Sequence, residues 1–301
     1  MNVTVTGATG LIGSRLVGRL RERGDAVTVL SRDPEAARRA LGDVEAHAWD
    51  PESVPAPAAA LSGRDGVVHL AGAPVAQRWS DDAKRAIRAS REQGTRNLVA
   101  GLRDADPAPG VLVSSSAVGY YGPRGAERID ESASPAGDFL AEVCQAWEAE
   151  AVRAEALGLR VVRVRTGVVL DKDGGALAKM LPPFRMGVGG PVAGGAQWMP
   201  WIHVEDEVGI LLAAIDGEGW SGPVNASAPT PVTNKEFSRA LGRALHRPAR
   251  APVPGFAVRL LFGEMAEIVT TGQRAVPTRP LALGYAFAHP QLDEALEATL
   301  R

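Results

Sequence analysis

Short apolar runs alternate with longer amphipathic stretches through the first half of the chain. Five runs rich in β-branched residues predict buried parallel strands: Val3–Thr6, Ala26–Leu30, Val67–Leu70, Val111–Val113 and Val161–Val164. Three stretches between them have helical spacing and predict helices: Leu11–Arg23, Asp81–Ala105 and Phe139–Leu157. Glu45–Trp49 has a fainter strand pattern. This alternation predicts an α/β fold, a doubly wound parallel sheet with right-handed crossovers.

The pattern changes after Asp171. Glycine pairs and prolines punctuate the chain from Gly174 to Pro200, which is typical of loops that serve a second lobe or merely connect elements. Three later stretches predict helices, the first of them opened by a capping box: Thr233–Leu245, Gly255–Thr270 and Leu292–Leu300. We therefore predict a first domain over residues 1–171, to which later segments return, and a smaller C-terminal α/β lobe over residues 172–301.

Composition and charge narrow the classes of protein. The chain of 301 residues has a net charge of −2, which predicts no binding to nucleic acid. No apolar run approaches the ~18–20 residues of a membrane helix, and the start lacks the pattern of a signal peptide. Cys144 is the single cysteine, and no histidine–cysteine cluster has metal-ligand spacing. We expect a cytoplasmic protein without a metal site and without a membrane or nucleic-acid partner.

The first predicted strand runs directly into a glycine-rich turn. Gly7 permits the tight turn, Gly10 lets the backbone approach a pyrophosphate, and Gly13 lets the next helix pack on the strand. The helix N-terminus supplies free N–H groups and the positive end of a dipole. The alternative is a glycine turn that binds nothing. We predict a Rossmann-type domain that holds a nicotinamide dinucleotide through these residues: Gly7, Thr9, Gly10, Leu11, Ile12 and Gly13.

The residues after the second predicted strand indicate which dinucleotide binds. Ser31 and Arg32 fit the 2′-phosphate of NADP(H), because a guanidinium offers a fork of donors. Asp33 could instead accept a hydrogen bond from the ribose 2′-OH of NAD(H). Asp33 followed by Pro34 also makes a good N-cap and first residue of a helix, which is the role we predict for it. The expected cofactor is therefore NADP(H).

Several motifs together resemble the extended short-chain dehydrogenase/reductase superfamily. Four of these motifs resemble the superfamily as a whole: the glycine turn, His69–Ala73, Ser114–Ala117 and Arg165–Leu170. Others are similar to its atypical nucleoside-diphosphate-sugar epimerase-like branch, within the NAD-dependent epimerase/dehydratase superfamily: Val118–Gly122, Gly189–Pro191 and Gln197–His203. Gly272–Tyr285 resembles the C-terminal module of that branch. The resemblance covers essentially the whole chain.

The resemblance implies further cofactor contacts. Leu70, Ala71 and Gly72 would end the fourth strand beside the adenosine and nicotinamide riboses. Arg91 would face the cofactor from the following helix, and Val169 would present its backbone near the nicotinamide amide. Without the resemblance, Arg91 is better explained as a solvated helix cation.

The catalytic pair of the superfamily is missing from the sequence. Members that transfer hydride use a tyrosine and, four residues further along a helix, a lysine that lowers the pKa of the phenol. If Glu148 is matched to the acidic residue that often follows this lysine, Leu140 and Cys144 stand in place of the pair. Cys144 itself is better explained as an inert buried thiol than as a nucleophile.

Ser116, Tyr120 and Tyr121 are the main catalytic candidates that remain, with Ser115 and Asp138 as alternatives. Ser116 ends the fifth strand where the superfamily's serine lies and would orient a substrate oxygen, although Ser115 or a simple capping role fits as well. Tyr120 or Tyr121 would supply a phenol, while one of the two packs in the core. Asp138 is a further acid, although a helix N-terminus attracts aspartate in any case.

These features predict an NADP(H)-dependent epimerase/dehydratase- or reductase-like enzyme. Its partner would be an unidentified small-molecule substrate, with nucleotide-linked compounds as candidates, and a homo-oligomer is left open. Trp198 and Trp201 either stack on that substrate or pack in the core. The rival hypothesis is a protein that senses NADPH or docks a partner without turnover, which the missing Tyr–Lys pair favours.

Overall fold

A computed structural model describes all 301 residues and contains a seven-stranded parallel sheet. The strands are β1 (Asn2–Thr6), β2 (Ala26–Ser31), β3 (Glu45–Ala48), β4 (Gly66–His69), β5 (Val111–Ala117), β6 (Arg128–Ile129), β7 (Arg160–Thr166), β8 (Val168–Leu170), β9 (Trp198–Met199), β10 (Trp201–His203), β11 (Gly222–Ala226), β12 (Val232–Thr233) and β13 (Arg274–Ala275). The order across the main sheet is β11-β7-β5-β4-β1-β2-β3, and every neighbouring pair is parallel. The predicted α/β fold is confirmed.

Helices cover both faces of this sheet. They are α1 (Leu11–Glu22), α2 (Pro34–Leu41), α3 (Asp81–Arg103), α4 (Phe139–Val152), α5 (Gly175–Arg185), α6 (Val204–Asp216), α7 (Asn234–Ala244), α8 (Gly255–Phe262), α9 (Ala266–Thr270), α10 (Thr278–Ala282) and α11 (Leu292–Leu300). Val111 and Val113 of β5 pack in the same core as residues of α1 and α6, whereas Leu112 packs with α3 and α4. Burial on both faces explains the runs of consecutive apolar residues in the central strands, such as Val111–Val113 of β5. No helix combines the length and the apolar content that a membrane span needs.

The connection from β3 to β4 reverses the direction in which strands are added to the sheet. β2 and β3 lie on one side of β1, and β4, β5, β7 and β11 lie on the other. The carboxyl ends of parallel strands lie at one edge, so the loops that follow β1, β4, β5 and β7 lie at the same edge. Ligands of open α/β sheets bind at such a switch point.

Segments beyond Asp171 contribute to both parts of the molecule. β11 pairs with β7 in the main sheet, and α6 packs against α1. A separate core joins α5, α7 and α11 through side chains such as Leu177, Phe237 and Leu296. The division into a cofactor domain over 1–171 and a lobe over 172–301 stays a prediction.

Two predicted elements differ from the structure for backbone reasons. The predicted helix Gly255–Thr270 is wrong as a single element, because Gly263 has φ +62 and separates α8 from α9. The predicted strand Val111–Val113 continues to Ala117, because its polar residues keep pairing with β7. The capping box is confirmed: Thr233 Oγ1 accepts from the backbone N–H of Glu236, and Thr233 N–H donates to the Glu236 carboxylate at 2.7 Å.

Candidate functional site

The turn between β1 and α1 is shaped by close backbone contacts. A Cβ on Gly7, which has φ +65, would lie 2.7 Å from the backbone of Leu70 and 2.8 Å from that of Ala71. A Cβ on Gly13 would lie 2.3 Å from the carbonyl oxygen of Gly7. A Cβ on Gly10 would meet only that same oxygen, at 3.2 Å. Gly7 and Gly13 are therefore required for packing, whereas the space above Gly10 is open to a ligand.

The first turn of α1 presents unpaired donors at this open space. Gly10 is the N-cap and offers no side chain, and the first turn contains no acidic residue. The N–H groups of Leu11, Ile12 and Gly13 find no acceptor in the chain, as is usual at a helix start. Thr9 beside them is exposed. This arrangement of free N–H groups suits an anionic group such as a pyrophosphate.

A buried hydrogen-bond chain fixes the end of β4 against the glycine turn. Thr6 Oγ1 accepts from the N–H groups of Leu70 and Ala71, each at 3.2 Å, so its own proton points to His69 Nδ1 at 2.7 Å. His69 Nε2 is then the donor to Thr95 Oγ1 at 3.1 Å. Burial lowers the pKa of His69 to about 4, so the ring stays neutral. The chain holds Leu70 and Ala71 at the switch point.

Arg91 is part of this edge of the sheet and is not a solvated cation. Its Nη1 donates to the carbonyl of Ala73 at 3.0 Å, and its guanidinium lies 5.1 Å from the ring of Trp147. A Cβ on Gly72 would lie 3.2 Å from the same guanidinium. Burial lowers the pKa of Arg91. The interpretation as a solvated helix cation is wrong, because Arg91 packs under residues 72–73.

Arg32, just after β2, carries a positive charge that is not paired within the chain. Asp33 Oδ1 accepts from the N–H of Ala36 at 2.9 Å, and Pro34 opens α2, so the predicted cap is confirmed. Ser31 Oγ bonds to the backbone of Asp33. Arg32 is exposed and makes no hydrogen bond or ion pair in the chain. The free charged group next to Ser31 is thus a guanidinium rather than a carboxylate.

The hydroxyl of Ser116 is hydrogen-bonded to a buried ion pair between Glu148 and Arg165. This hydroxyl donates to Glu148 Oε1 at 2.7 Å. The Arg165 guanidinium donates to both oxygens of the same carboxylate, at 2.8 and 2.9 Å. Ser116, Glu148 and Arg165 are 3%, 4% and 2% exposed. In this geometry the Ser116 proton is directed to Glu148, so the hydroxyl is not free to donate to a substrate oxygen, and its catalytic role stays a prediction.

The two tyrosines after β5 differ in burial. Tyr121 is fully buried, donates to Asn225 Oδ1 at 2.7 Å and accepts from Arg165 Nη1 at 2.9 Å. Burial raises its pKa to about 12, which tells against the catalytic role considered for it. Tyr120 is half-buried, its ring lies 3.6 Å from the Arg165 guanidinium, and its hydroxyl has no partner in the chain. Tyr120 is therefore the phenol that remains as a catalytic candidate.

The same network reaches the C-terminal module. Asn225 Nδ2 donates to the carbonyl of Val276 at 2.9 Å, and Asn225 N–H donates to Glu131 Oε1 at 3.0 Å. The N–H of Arg279 donates to Glu131 Oε2 at 3.1 Å, and β13 pairs with β6. Burial raises the pKa of Glu131. The module thus shares buried hydrogen bonds with the main sheet.

The positions of the missing catalytic pair on α4 carry no ionisable pair. Leu140 is apolar, and burial raises the pKa of the Cys144 thiol to about 12. Asp138 caps α4 by accepting from the N–H groups of Leu140 and Ala141 at 3.0 and 3.1 Å. The structure therefore supports an inert Cys144 and a structural Asp138.

One buried acid was missed by the sequence reasoning. Glu207 is 0% exposed, accepts from Thr166 Oγ1 at 2.8 Å, and leaves Oε2 without a partner. Burial raises its pKa to about 8. Glu205, Asp206 and Glu207 look alike in sequence, as acids in the first turn of a helix. Only the fold shows that Asp206 and Glu207 are buried and that Glu207 keeps an unpaired oxygen.

A second cluster near the start of α6 contains potential metal ligands. Ligand atoms of His203, Glu205 and His289 lie within 4.8 Å of one another, although no metal spacing was found in the sequence. His203 Nδ1 accepts from the N–H of Glu205 at 3.2 Å, whereas a metal-bound imidazole normally donates its other ring N–H. Asp206 binds the N–H groups of Ala288 and His289, at 2.7 and 2.9 Å. These contacts suit a helix cap that ties α6 to the C-terminal module.

The two tryptophans considered for stacking lie in the short strands β9 and β10, which precede α6. Trp201 is fully buried and donates from Nε1 to the carbonyl of Thr230 at 3.0 Å, so its stacking role is wrong and it packs in the core. Trp198 is half-buried with the Arg274 guanidinium 4.3 Å from its ring. Val169 in β8 is paired to β10 and half-buried.

The sheet order and the open glycine turn together define a dinucleotide-binding α/β protein of the short-chain dehydrogenase type. The sequence model of the NAD dependent epimerase/dehydratase family matches residues 3–225, and a domain of unknown function (DUF1731) matches residues 253–299. The chain belongs to the NAD dependent epimerase/dehydratase family. The predicted family and C-terminal module are confirmed.

Relatives of known name span the whole chain. The epimerase family protein SDR39U1 homolog, chloroplastic, of Arabidopsis thaliana is 41% identical over 309 residues, which is 100% of this chain and 87% of the relative. The crystal structure of human epimerase family protein SDR39U1 (isoform2) with NADPH has a TM-score of 0.90 at 35% identity and covers 99% of each chain. A nucleoside-diphosphate sugar epimerase from Corynebacterium glutamicum has a TM-score of 0.79 at 32% identity, covering 100% of this chain and 58% of that one.

Proposed function

We propose that this protein binds NADP(H) and acts as an epimerase/dehydratase- or reductase-like enzyme on a small molecule. The observation that carries the proposal is the set of unpaired donors at the glycine turn: the N–H groups of Leu11, Ile12 and Gly13 beside the open space at Gly10. NADPH in the human relative's structure supports the same assignment.

The residues at the turn and at the end of β2 fit NADP(H). The free N–H groups of α1 would hold the pyrophosphate, and Ser31 and Arg32 would hold the 2′-phosphate. Leu70–Gly72, Arg91 and Val169 are proposed to line the ribose and nicotinamide end, as the resemblance implies. Bound NADP(H) supplies or accepts a hydride.

Tyr120 is the residue to which we assign proton exchange with the substrate. Its hydroxyl is the tyrosine hydroxyl after β5 that is not bonded within the chain, whereas Tyr121 is held by Asn225 and Arg165. Arg165 orients the Tyr120 ring from 3.6 Å, and Glu148 in turn orients Arg165. No lysine stands four residues beyond a tyrosine on α4, so we expect turnover to be slow.

Nucleotide-linked sugars are the substrate class that we would test first. The Corynebacterium glutamicum relative is described as a nucleoside-diphosphate sugar epimerase, which supports this class. Cytoplasmic localisation and a homo-oligomer stay predictions, and the Arabidopsis relative is described as chloroplastic.

The test is a screen of nucleoside-diphosphate sugars with NADP+, which can accept a hydride from a sugar alcohol, and of small carbonyl compounds with NADPH, which can donate one. Absorbance would follow the redox reaction, and chromatography would detect an epimer or a dehydrated product. Tyr120→Phe should lower turnover by roughly 100-fold or more, the usual contribution of a general acid or base. Ser116→Ala is the matched control, because its hydroxyl is bonded to Glu148, and we expect it to keep most activity. Full activity in Tyr120→Phe would contradict the assignment.

A second candidate function is NADPH binding without turnover, as a sensor or a partner-docking protein. Leu140 and the buried Cys144 at the positions of the catalytic pair favour it, as do the internally bonded Ser116 and Tyr121. Tight NADPH binding with no turnover on any compound of the screen would favour this candidate over the enzyme.

A further inference from the structure

A basic groove lies along α7 and the segment that follows it. The groove has a volume of about 960 Å³, and ten residues line it, none of which is an aspartate or a glutamate. Five of them carry a permanent positive charge: Lys235, Arg239, Arg243, Arg247 and Arg250. The whole chain has a net charge of −2, so this local charge is opposite in sign to the molecule's average. We call it the α7 groove.

Most of these cations have no carboxylate within hydrogen-bond distance. Lys235, Arg239 and Arg250 are exposed and have no hydrogen bond or ion pair in the chain. Arg247 donates only to backbone carbonyls, and Arg243 pairs with Asp293 at 2.6 Å. Like charges that share one groove repel each other, so a bound anion would lower the free energy of this arrangement.

The carboxylate nearest in sequence only partly offsets the charge of the α7 groove. Glu236 accepts from the N–H and the hydroxyl of Thr233, at 2.7 and 2.8 Å, and so serves the capping box of α7. The hydrogen bonds from Thr233 and, to a smaller degree, the charge of Arg239 lower the pKa of Glu236, so this carboxylate offsets part of the charge of one cation. The side of α7 that lines the α7 groove keeps an excess of positive charge.

The spacing of the cations fits several anionic groups. Lys235, Arg239 and Arg243 stand four residues apart on α7, which places them about 6 Å apart along the helix. Guanidinium groups bind phosphate oxygens in pairs, with charge-assisted hydrogen bonds. Arg247 and Arg250 add donors from the adjoining segment. The α7 groove therefore matches a ligand with more than one phosphate group.

The lining also indicates the size of the ligand. The volume falls in the range of roughly 300–1,000 Å³ that is typical of small-molecule sites. No phenylalanine, tyrosine or tryptophan lines the α7 groove, and His246 supplies its one aromatic ring, so binding would depend mainly on charge rather than on base stacking. We propose that the α7 groove binds a small anion that carries two or more phosphate groups, at a site separate from the dinucleotide turn.

The proposal is tested by calorimetric titration of the full chain with tripolyphosphate. The protein is first given stoichiometric NADPH, so that the dinucleotide site is filled. We expect tripolyphosphate to bind without displacing NADPH, and to bind more weakly as salt increases. Arg239→Gln combined with Arg250→Gln should weaken it at least about tenfold, since charge-assisted hydrogen bonds are lost.

A matched control separates this site from general charge effects. Arg103 is an exposed arginine at the end of α3 with no partner in the chain, and Arg103→Gln should change the affinity by less than about twofold. Unchanged NADPH affinity in every variant shows that the fold is kept. The proposal is overturned if millimolar tripolyphosphate fails to bind, if it displaces NADPH, or if Arg103→Gln weakens it equally. Tighter binding of single-stranded RNA or of anionic vesicles than of tripolyphosphate would also overturn it.

Discussion

The loops after β1 and β2 lie at the same edge of the sheet as the carboxyl ends of β5 and β7, yet the two regions use polar groups in opposite ways. In the first pair, the N–H groups of Leu11–Gly13 and the guanidinium of Arg32 have no partner in the chain. In the second pair, Ser116, Tyr121 and Arg165 are bonded to one another or to shared partners. Free donors indicate a ligand site, whereas a satisfied buried network indicates a structural one.

The largest expected effect comes from breaking the satisfied network. Glu148→Gln leaves the buried Arg165 without its counterion, and the free energy of unfolding should fall by about 3–5 kcal/mol. Urea denaturation measures this loss. Arg163→Gln is the control, because Arg163 contacts the same carboxylate at 3.3 Å from a partly exposed position and should cost less than about 1 kcal/mol. Equal losses in the two variants would show that the buried pair is no stronger than a surface pair.

Blocking the open turn should remove cofactor binding while sparing stability. Gly10→Val places a branched side chain in the space left for the pyrophosphate, and NADPH affinity should fall more than about 100-fold, or about 2.7 kcal/mol. Calorimetry measures the affinity. Gly18→Ala on α1 is the control, since a Cβ there meets no atom within 4 Å. Normal NADPH binding by Gly10→Val would place the dinucleotide elsewhere.

Glu207 accepts a hydrogen bond from Thr166 at the end of β7, but unlike the buried groups of the Ser116–Glu148–Arg165 network it keeps one oxygen unpaired. Its folded pKa is raised to about 8 from 4.5, so across that interval the unfolded state binds fewer protons and stability falls as pH rises. His69 acts in the opposite direction, since its pKa is lowered to about 4 from 6.5, and its contribution is lost as pH falls below 6.5.

Above pH 6.5, the ordinary pKa of histidine, the contribution of His69 to the pH dependence is small, so the change in stability up to pH 8 reports mainly on Glu207. From pH 6.5 to pH 8 the free energy of unfolding should fall by about 2 kcal/mol, and Glu207→Gln should make this interval flat. Chemical denaturation at several pH values gives the slope. A decline of the same size in Glu207→Gln would assign the dependence to other groups.

The smallest expected effect is on the choice of dinucleotide. We expect NADPH to bind at least about tenfold more tightly than NADH. Arg32→Asp should erase or reverse this preference, because a carboxylate repels the 2′-phosphate and accepts a hydrogen bond from a 2′-OH. Titration with both dinucleotides measures it. Arg39→Asp is the matched control, an exposed position on α2 with the same change of charge. Equal affinities in the unmodified protein would refute the role of Arg32.

The features that could be predicted from the sequence depend on contacts between near neighbours. The glycine turn spans Gly7–Gly13, the cap pairs Asp33 with Ala36, and the capping box pairs Thr233 with Glu236. Each has its geometry fixed within a few residues of chain, so a short pattern is enough to identify it. The fold followed from the same kind of evidence, because buried strands and helices differ in their local spacing.

The network after β5 could not be predicted in this way, because its partners are distant in sequence. Ser116 and Glu148 are 32 residues apart, and Tyr121 and Asn225 are 104 apart. The position of Ser116 at the end of a strand suggested catalysis, but the partner that binds its hydroxyl appears only in the fold. Position in a motif indicates where a side chain lies, whereas its role depends on what it touches.

The contacts of Asn225 and Glu131 have a consequence for how the protein is made. All seven strands of the main sheet lie within residues 2–226, so the sheet can assemble on the ribosome before the C-terminal module is synthesised. At that stage the Asn225 amide lacks the carbonyl of Val276, and the Glu131 carboxylate lacks the N–H of Arg279. A nascent chain halted before residue 276 would hold a complete set of strands while the Asn225 amide and one oxygen of Glu131 still lacked their partners.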